Sequence, residues 1–187
     1  IFFRNSKSSN FFYAVKPTQL CLGEGCLTEI TGRSGSGKTT LCNMLAGLLK
    51  PSEGLITADG RDLYAMSDSE LSAFRNKHIG VVPQGQTGLS SLTVLENVLV
   101  PVAMYGSAEA FVGRATELLE RVGIAELADV YSNELSGGEL RRMAIARALI
   151  NDPAVIIADE PTADLDDQTS AMVLELFRER ARGGAAV

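Results

Sequence analysis

The stretch ITGRSGSGKTTL, Ile30 to Leu41, sets Gly32, Gly35 and Gly37 among hydroxyl side chains around Lys38, with apolar residues on either side. Gly32 and Gly37, followed by Lys38 and Thr39, satisfy the spacing G-x-x-x-x-G-K-[ST]. A polyphosphate must come close to backbone N–H groups, which excludes Cβ atoms, and a helix N-terminus must point its free donors at the anion. Lys38 adds positive charge for the β- and γ-phosphates, and the Thr39 hydroxyl is a ligand for Mg²⁺. The preceding CLTEIT reads as a strand and the following KTTLCNMLAGLL as a helix with Leu41, Met44, Leu45 and Leu48 on one face. This is the context the motif requires. A flexible Gly/Ser turn with an incidental lysine is the competing reading, and strand and helix together disfavour it. The candidate nucleotide contacts are Gly32, Arg33, Ser34, Gly35, Ser36, Gly37, Lys38, Thr39 and Thr40.

Working outward, 187 residues fit one domain with room for a subdomain. A net charge of −6 argues against an interface built on phosphate-backbone neutralisation, so no nucleic-acid partner is expected. Cys21, Cys26 and Cys42 lack the spacing of a four-ligand metal site and the density of a disulfide scaffold. They are expected to be reduced, mostly buried cytosolic thiols, a Cys21–Cys26 bridge being the alternative. No apolar run reaches the roughly 18 residues needed to span a bilayer. The chain opens at Ile1 and stops in RGGAAV, so it is expected to be trimmed at one or both ends.

Further strand signals lie at IFFRN, FFYAV, GLITADG, HIGVVPQ and AVIIADE. Helical stripes run through SAEAFVGRATELLERVGI (Phe111, Ala115, Leu118, Leu119, Val122), GGELRRMAIARALI and QTSAMVLELFRERAR. The alternation predicts an α/β fold with a mainly parallel sheet. From Gly85 to Glu134 no strand is convincing, so a helical insertion is expected there.

AVIIADEP ends an apolar run of strand length with Asp159 and Glu160, where side chains of a parallel sheet emerge beside a phosphate loop. Asp159 would hold Mg²⁺ and Glu160 would polarise a water aimed at the γ-phosphate. The bland alternative is two acids ending a buried strand in solvent. LSGGE, Leu135 to Glu139, opens a helix with free N–H groups and a hydroxyl cap, either a second anion site or an ordinary tight-turn N-cap.

Taken in order, GRSGSGKTT, Gln84 in VVPQ, LSGGE, IIADEPT and ADLD (Ala163 to Asp166) resemble the nucleotide-binding domain of the ATP-binding cassette (ABC) family over essentially the whole chain. The local sequences LTVLENVLVPVAMYG and ADEPTADLD look most like the branch that powers lipoprotein release and macrolide export. The resemblance implies a P-loop NTPase fold with an N-terminal antiparallel β subdomain, and a single domain over 1–187, C-terminally truncated. Within it, residues of about 84–145 would form a helical subdomain that docks on a transmembrane permease.

It further implies head-to-tail dimerisation around two ATP molecules, with Mg²⁺ at Thr39, Gln84 and Asp159. Glu160 would be the catalytic base, helped by Gln84 and Lys38. Ser136, Gly137, Gly138 and Glu139 would contact the partner's γ-phosphate, and Asp166 the dimer interface. Localisation follows as cytoplasmic, peripheral on the membrane. A non-transport ABC ATPase of nucleic acid or ribosome, and an ATP binder that never hydrolyses, are the other readings.

Three departures stand out. Ser9 occupies the position where the family stacks an aromatic ring on adenine, with Phe11, Phe12 or Tyr13 as substitutes if the loop turns inward; for at least two of them, a role as core residues of a strand is the favoured alternative. Glu139 replaces the commoner glutamine, which calls for compensation by Arg141 or Arg142; otherwise these arginines are solvated helix charges. A family histidine beyond the catalytic glutamate would fall after Val187. His78 cannot serve and reads as a strand-edge residue, so weak or absent hydrolysis is expected of the piece as given.

Overall fold

A computed structural model describes residues 2–4, 11–85, 87–106 and 108–187. β1 (Phe2–Arg4) pairs antiparallel with β2 (Phe11–Tyr13), as the two N-terminal strand signals predict. Ser9 lies outside the described residues, as do the side chains of Phe11 and Phe12. Tyr13 is 53% exposed. α1 (Lys38–Leu45) follows the phosphate loop and is closed by Gly47 at φ +70°, a left-handed position that glycine takes without strain. Leu48, expected on the buried face, lies beyond this closure and is exposed.

GLITADG, read as one strand, is instead the tight hairpin of β3 (Thr57–Ala58) and β4 (Arg61–Asp62). The reason is local: Asp59 and Gly60 both take positive φ, the Asp-Gly signature of a two-residue turn. α2 (Asp68–His78) was not anticipated, although its start is legible as a capping box. The Ser67 N–H and hydroxyl both donate to the Glu70 carboxylate, and the Glu70 N–H returns to the Ser67 hydroxyl. His78 ends this helix with its ring 4.7 Å from that of Phe74, and is therefore not a strand-edge residue.

β5 (Ile79–Val82) comes next, then α3 (Val94–Ala103), α4 (Val112–Arg121), α5 (Gly137–Leu149), β6 (Val155–Ala158) and α6 (Asp167–Arg182). Between Gly85 and Glu134 the described residues form helices and loops with one isolated bridge, Thr93 to Tyr131, in keeping with the expected helical insertion.

β5 and β6 run parallel in the register Ile79 to Val155 through Val82 to Ala158. Their apolar residues divide by parity, as a period of two requires. Val82 and Ile156 face one cluster with α3, α4, α5 and α6, whereas Ile79 and Ile157 face a second with Ala46, Leu63 and Leu71. Helices thus cover both sheet faces, which is why AVII is a continuous apolar run rather than an alternating one. Each fully buried Leu, Ile or Val contributes about 1.5–3 kcal/mol. Gly80 is required for the helix–sheet approach, because a Cβ there would stand 2.4 Å from the Ala148 carbonyl oxygen of α5.

The expected strand CLTEIT forms no ladder among the described residues. It pairs in parallel fashion with the chain's end, the Val187 N–H donating to the Cys26 carbonyl (2.8 Å) and the Thr28 N–H to the Val187 carbonyl (2.7 Å). Ala186 in turn bridges Val155, which extends the parallel row β5, β6, 186–187, 26–28. All three cysteines are free, but Cys21 and Cys26 are exposed and Cys42 half-buried, against the expectation of mostly buried thiols.

Candidate functional site

The loop before α1 is shaped by its glycines. Gly35 sits at φ +73° and Gly37 at φ +95°, and the Ser36 N–H donates to the Arg33 carbonyl across the turn. A Cβ on Gly37 would lie 2.1 Å from the Ala14 carbonyl oxygen. α1 starts at this glycine with no side-chain cap and no acidic residue in its first turn. By contrast, α2, α3, α5 and α6 each begin on a capping Ser, Thr or Asp. The first N–H groups of α1 are thereby left open to an anion, with the positive end of the helix dipole behind them. Lys38 arches back over the loop, its ammonium donating to the carbonyls of Gly32 (2.9 Å) and Arg33 (3.2 Å).

The acidic pair arrives from β6. The Asp159 N–H donates to the Val82 carbonyl (2.9 Å), so the ladder carries the chain one residue past the strand. Asp159 is buried and its Oδ2 has no hydrogen-bond partner. Burial pushes the Cys42 thiol pKa up, and the charge of Asp159 adds to it, an electrostatic sign that the carboxylate lies beside the first turns of α1. Glu160 is exposed and held at φ +52°, a conformation that costs a non-glycine residue of order 1–3 kcal/mol and that concentrates at functional sites.

Gln84 joins the two halves. Its amide nitrogen donates to Glu160 Oε2 (3.0 Å), and its amide oxygen accepts from the Thr39 hydroxyl (3.4 Å). Thr39, Gln84, Glu160 and, through the backbone, Asp159 are thus brought together from three distant stretches of chain.

A second site forms elsewhere. Ser136, Gly137, Gly138, Arg142, Asp164, Leu165, Asp166 and Thr169 line a cavity of about 410 Å³, and no residue of the phosphate loop lies among them. Ser136 caps α5 in a capping box: its N–H and hydroxyl both donate to the Glu139 carboxylate at 2.7 Å. The serine hydroxyl and backbone bonds, with help from Arg142, hold the Glu139 carboxyl below its usual range. Asp166 caps α6 through the Thr169 N–H (2.9 Å) and hydroxyl (2.6 Å). Gly138 faces the Asp164 carbonyl, which a Cβ would approach to 3.4 Å.

The two arginines that follow the LSGGE signature are both engaged with backbone, Arg141 buried and Arg142 half-buried. Arg141 is buried and donates to the Pro83 carbonyl, while Arg142 donates to the carbonyls of Val122 and Gly123. Sequence reasoning also missed Asn97, fully buried and bonded to Leu89, Leu92 and Thr93, and Arg147, which grips Thr87. A polar residue inside the apolar run VLENVLV was the available signal for Asn97.

Residues 15–163 match the family model described as ABC transporter. The lipoprotein-releasing system ATP-binding protein LolD of Bdellovibrio bacteriovorus is 45% identical over 164 residues, covering 87% of this chain and 74% of that protein. The ABC transporter ATP-binding protein YtrE of Bacillus subtilis is 41% identical over 172 residues, covering 90% and 74%. Among solved structures, a dimeric post-hydrolysis state of the ATP-binding cassette MJ0796 bound to ADP and Pi superposes with a TM-score of 0.91 at 36% identity, covering 97% of this chain and 80% of that one. These relatives bear out the branch resemblance and do not favour the nucleic-acid reading. With its phosphate loop, its acidic pair and its separate signature site, the chain belongs to the ABC transporter family, as an ATP-binding and ATP-hydrolysing cassette of a transport system.

Proposed function

We propose that two copies of this cassette, or one copy and a second cassette, close head to tail around two ATP molecules and so drive a membrane permease from its cytoplasmic face. The observation that carries this reading is the division of the anion-binding groups into two sites on one chain. The phosphate loop has the acidic pair and Gln84 but lacks the signature residues, and the signature cavity lacks the loop. Each half therefore needs its complement from another molecule, and the existence of a dimeric structure of the cassette MJ0796 supports this reading. Among the described residues no helix is long and apolar enough to cross a membrane, in keeping with attachment through a partner. Residues of about 84–145 would form the docking subdomain.

In this reading Gly32 to Thr40 cradle the phosphates through their N–H groups, and the Lys38 ammonium exchanges its two loop carbonyls for phosphate oxygens. The residues fit Mg²⁺: Asp159 carries a buried carboxylate oxygen without a partner, and the Thr39 hydroxyl and Gln84 amide oxygen are neutral donors already in contact. Mg²⁺ usually keeps several waters and needs only one or two carboxylates from the protein, which this donor set can supply. When bound, the ion neutralises charge on the β- and γ-phosphates.

Glu160 orients a water in line with the γ-phosphorus and accepts its proton as the bond to the bridging oxygen breaks. Gln84 holds that carboxylate in place. Ser136, Gly137 and Gly138 then meet the γ-phosphate of the opposite molecule's ATP, with Glu139 holding the cap and Asp166 ordering the turn that lines the cavity.

Light scattering on the Glu160→Gln protein with and without ATP tests the reading. ATP should double the mass, and adding Ser136→Arg should abolish the change. A monomer that binds ATP and never pairs would refute pairing between two copies of this chain, and absence of pairing with any second cassette would refute the shared site.

A further inference from the structure

We propose that Arg141 is a positioning residue for Gln84: the buried guanidinium of α5, bonded to the Pro83 carbonyl, sets where the Gln84 amide stands between Thr39 and Glu160. The inference rests on the reading of Gln84 as a participant at the reaction centre. β5 ends at Val82, whose carbonyl takes the last ladder bond from the Asp159 N–H. Pro83 follows, and its carbonyl, alternate to that of Val82, lies outside the β5–β6 ladder. Its carbonyl is taken instead by Arg141 Nη1 at 2.9 Å.

Arg141 is only 6% exposed. A guanidinium at such depth is costly, and an apolar side chain of like volume would pack there at no such cost, so stability alone does not explain the charge. What the charge provides is a strong, directional bond to the peptide immediately before Gln84. Gln84 itself is exposed and has three side-chain torsions, and its tip must satisfy Thr39 and Glu160 at once. Its backbone therefore has to be located from outside, and the bonded Pro83 carbonyl does this.

The chain beyond is held on the same helix. Arg147 donates to the Thr87 carbonyl (2.7 Å) and hydroxyl (2.6 Å), and Gly88 lies so close to Leu140 that a Cβ would stand 3.0 Å from its Cδ2. Leu140 and Arg147 are seven residues apart and share a face of α5. Gln84 thus stands between two bodies, its backbone fixed to the helix that Ser136 caps and its tip bonded to the phosphate loop and the acidic pair. A shift of α5 against the sheet is delivered to Gln84 through Arg141.

The test is steady-state ATP hydrolysis by the full-length protein in a double-mutant cycle. Arg141→Met keeps the volume and removes the donor. It should lower kcat about tenfold or more while KM for ATP stays within about twofold, since the phosphate loop is untouched. Arg141→Lys, which keeps a donor, should recover most of the loss. In a Gln84→Ala background Arg141→Met should change kcat by less than about twofold, because its effect passes through the missing amide.

Equal factors in both backgrounds, or no loss in the first, would overturn the proposal and leave Arg141 a structural residue. A Gln84→Ala protein with undiminished kcat would sink the reading of Gln84 and this proposal with it. Should Arg141→Met not fold, Arg141→Gln, a neutral and less well-placed donor, carries the same cycle.

Discussion

Gly37→Ala isolates the steric requirement of the phosphate loop. At φ +95° an L-residue is strained by about 1–2 kcal/mol, and the new Cβ would stand 2.1 Å from the Ala14 carbonyl oxygen and 3.3 Å from Val15 Cγ2. A relaxed C···O contact needs about 3.3 Å, so the loop and Ala14 must part by about 1 Å. Such a shift takes N–H groups at the start of α1 out of hydrogen-bond range of a phosphate. Losing one charge-assisted bond, at about 1.5–3 kcal/mol, weakens ATP binding by about 10- to 100-fold. Gly54→Ala is the matched control: its φ is +85° with nothing within 4 Å of the added Cβ, so it should lower stability by about 1 kcal/mol and leave ATP affinity unchanged. Calorimetric titration of ATP, with thermal melts of both variants, reads the two effects separately. ATP binding by Gly37→Ala within twofold of the parent, or equal weakening by Gly54→Ala, would refute the steric reasoning.

Other outcomes follow from the same geometry. Asn97→Ala should cost about 2–4 kcal/mol in urea unfolding, because the fully buried amide serves the Leu89 N–H (2.8 Å) and the carbonyls of Leu89, Leu92 and Thr93, which would lose their partner. A cost below half a kcal/mol would mean that the loop rearranges freely. Stability should also fall with acid. Hydrogen bonds from Ser67, Ser136 and Thr169 hold the Glu70, Glu139 and Asp166 carboxyls below their ordinary values of 4.5, 4.5 and 3.8. Their contribution is complete above those unfolded values and is lost as pH falls through the lower folded ones. Urea midpoints measured downward from about pH 5 should therefore decline, and Glu70→Gln should flatten the slope. An unchanged slope would remove Glu70 from the account.

Much of the site was legible because its chemistry is local in sequence. The spacing of Gly32, Gly37, Lys38 and Thr39, and the acids closing AVIIADE, follow from what a phosphate and a sheet end require within a few residues. Turn and cap signals are equally local: Asp59-Gly60 marks a hairpin inside GLITADG, and Ser67 with Glu70 marks the start of α2. Arg141 and Arg142 were harder. A charged residue on a helix is ordinarily solvated, and nothing near it in sequence reveals that the Pro83 or Gly123 carbonyl will be waiting.

The sequence by itself therefore determined the anion chemistry, the α/β alternation and the family, since each depends on residue type and short spacing. The tertiary structure decided which of these groups meet. It brought Gln84 between Thr39 and Glu160 and left one Asp159 oxygen buried without a partner. It also set Ser136 with Asp164 and Asp166 around a cavity apart from the loop, and turned a signature-helix arginine inward to hold Pro83. Those are long-range contacts, fixed by the packing of α5 on β5 and by parallel pairing of strands far apart in the chain, and no local pattern of residues encodes them.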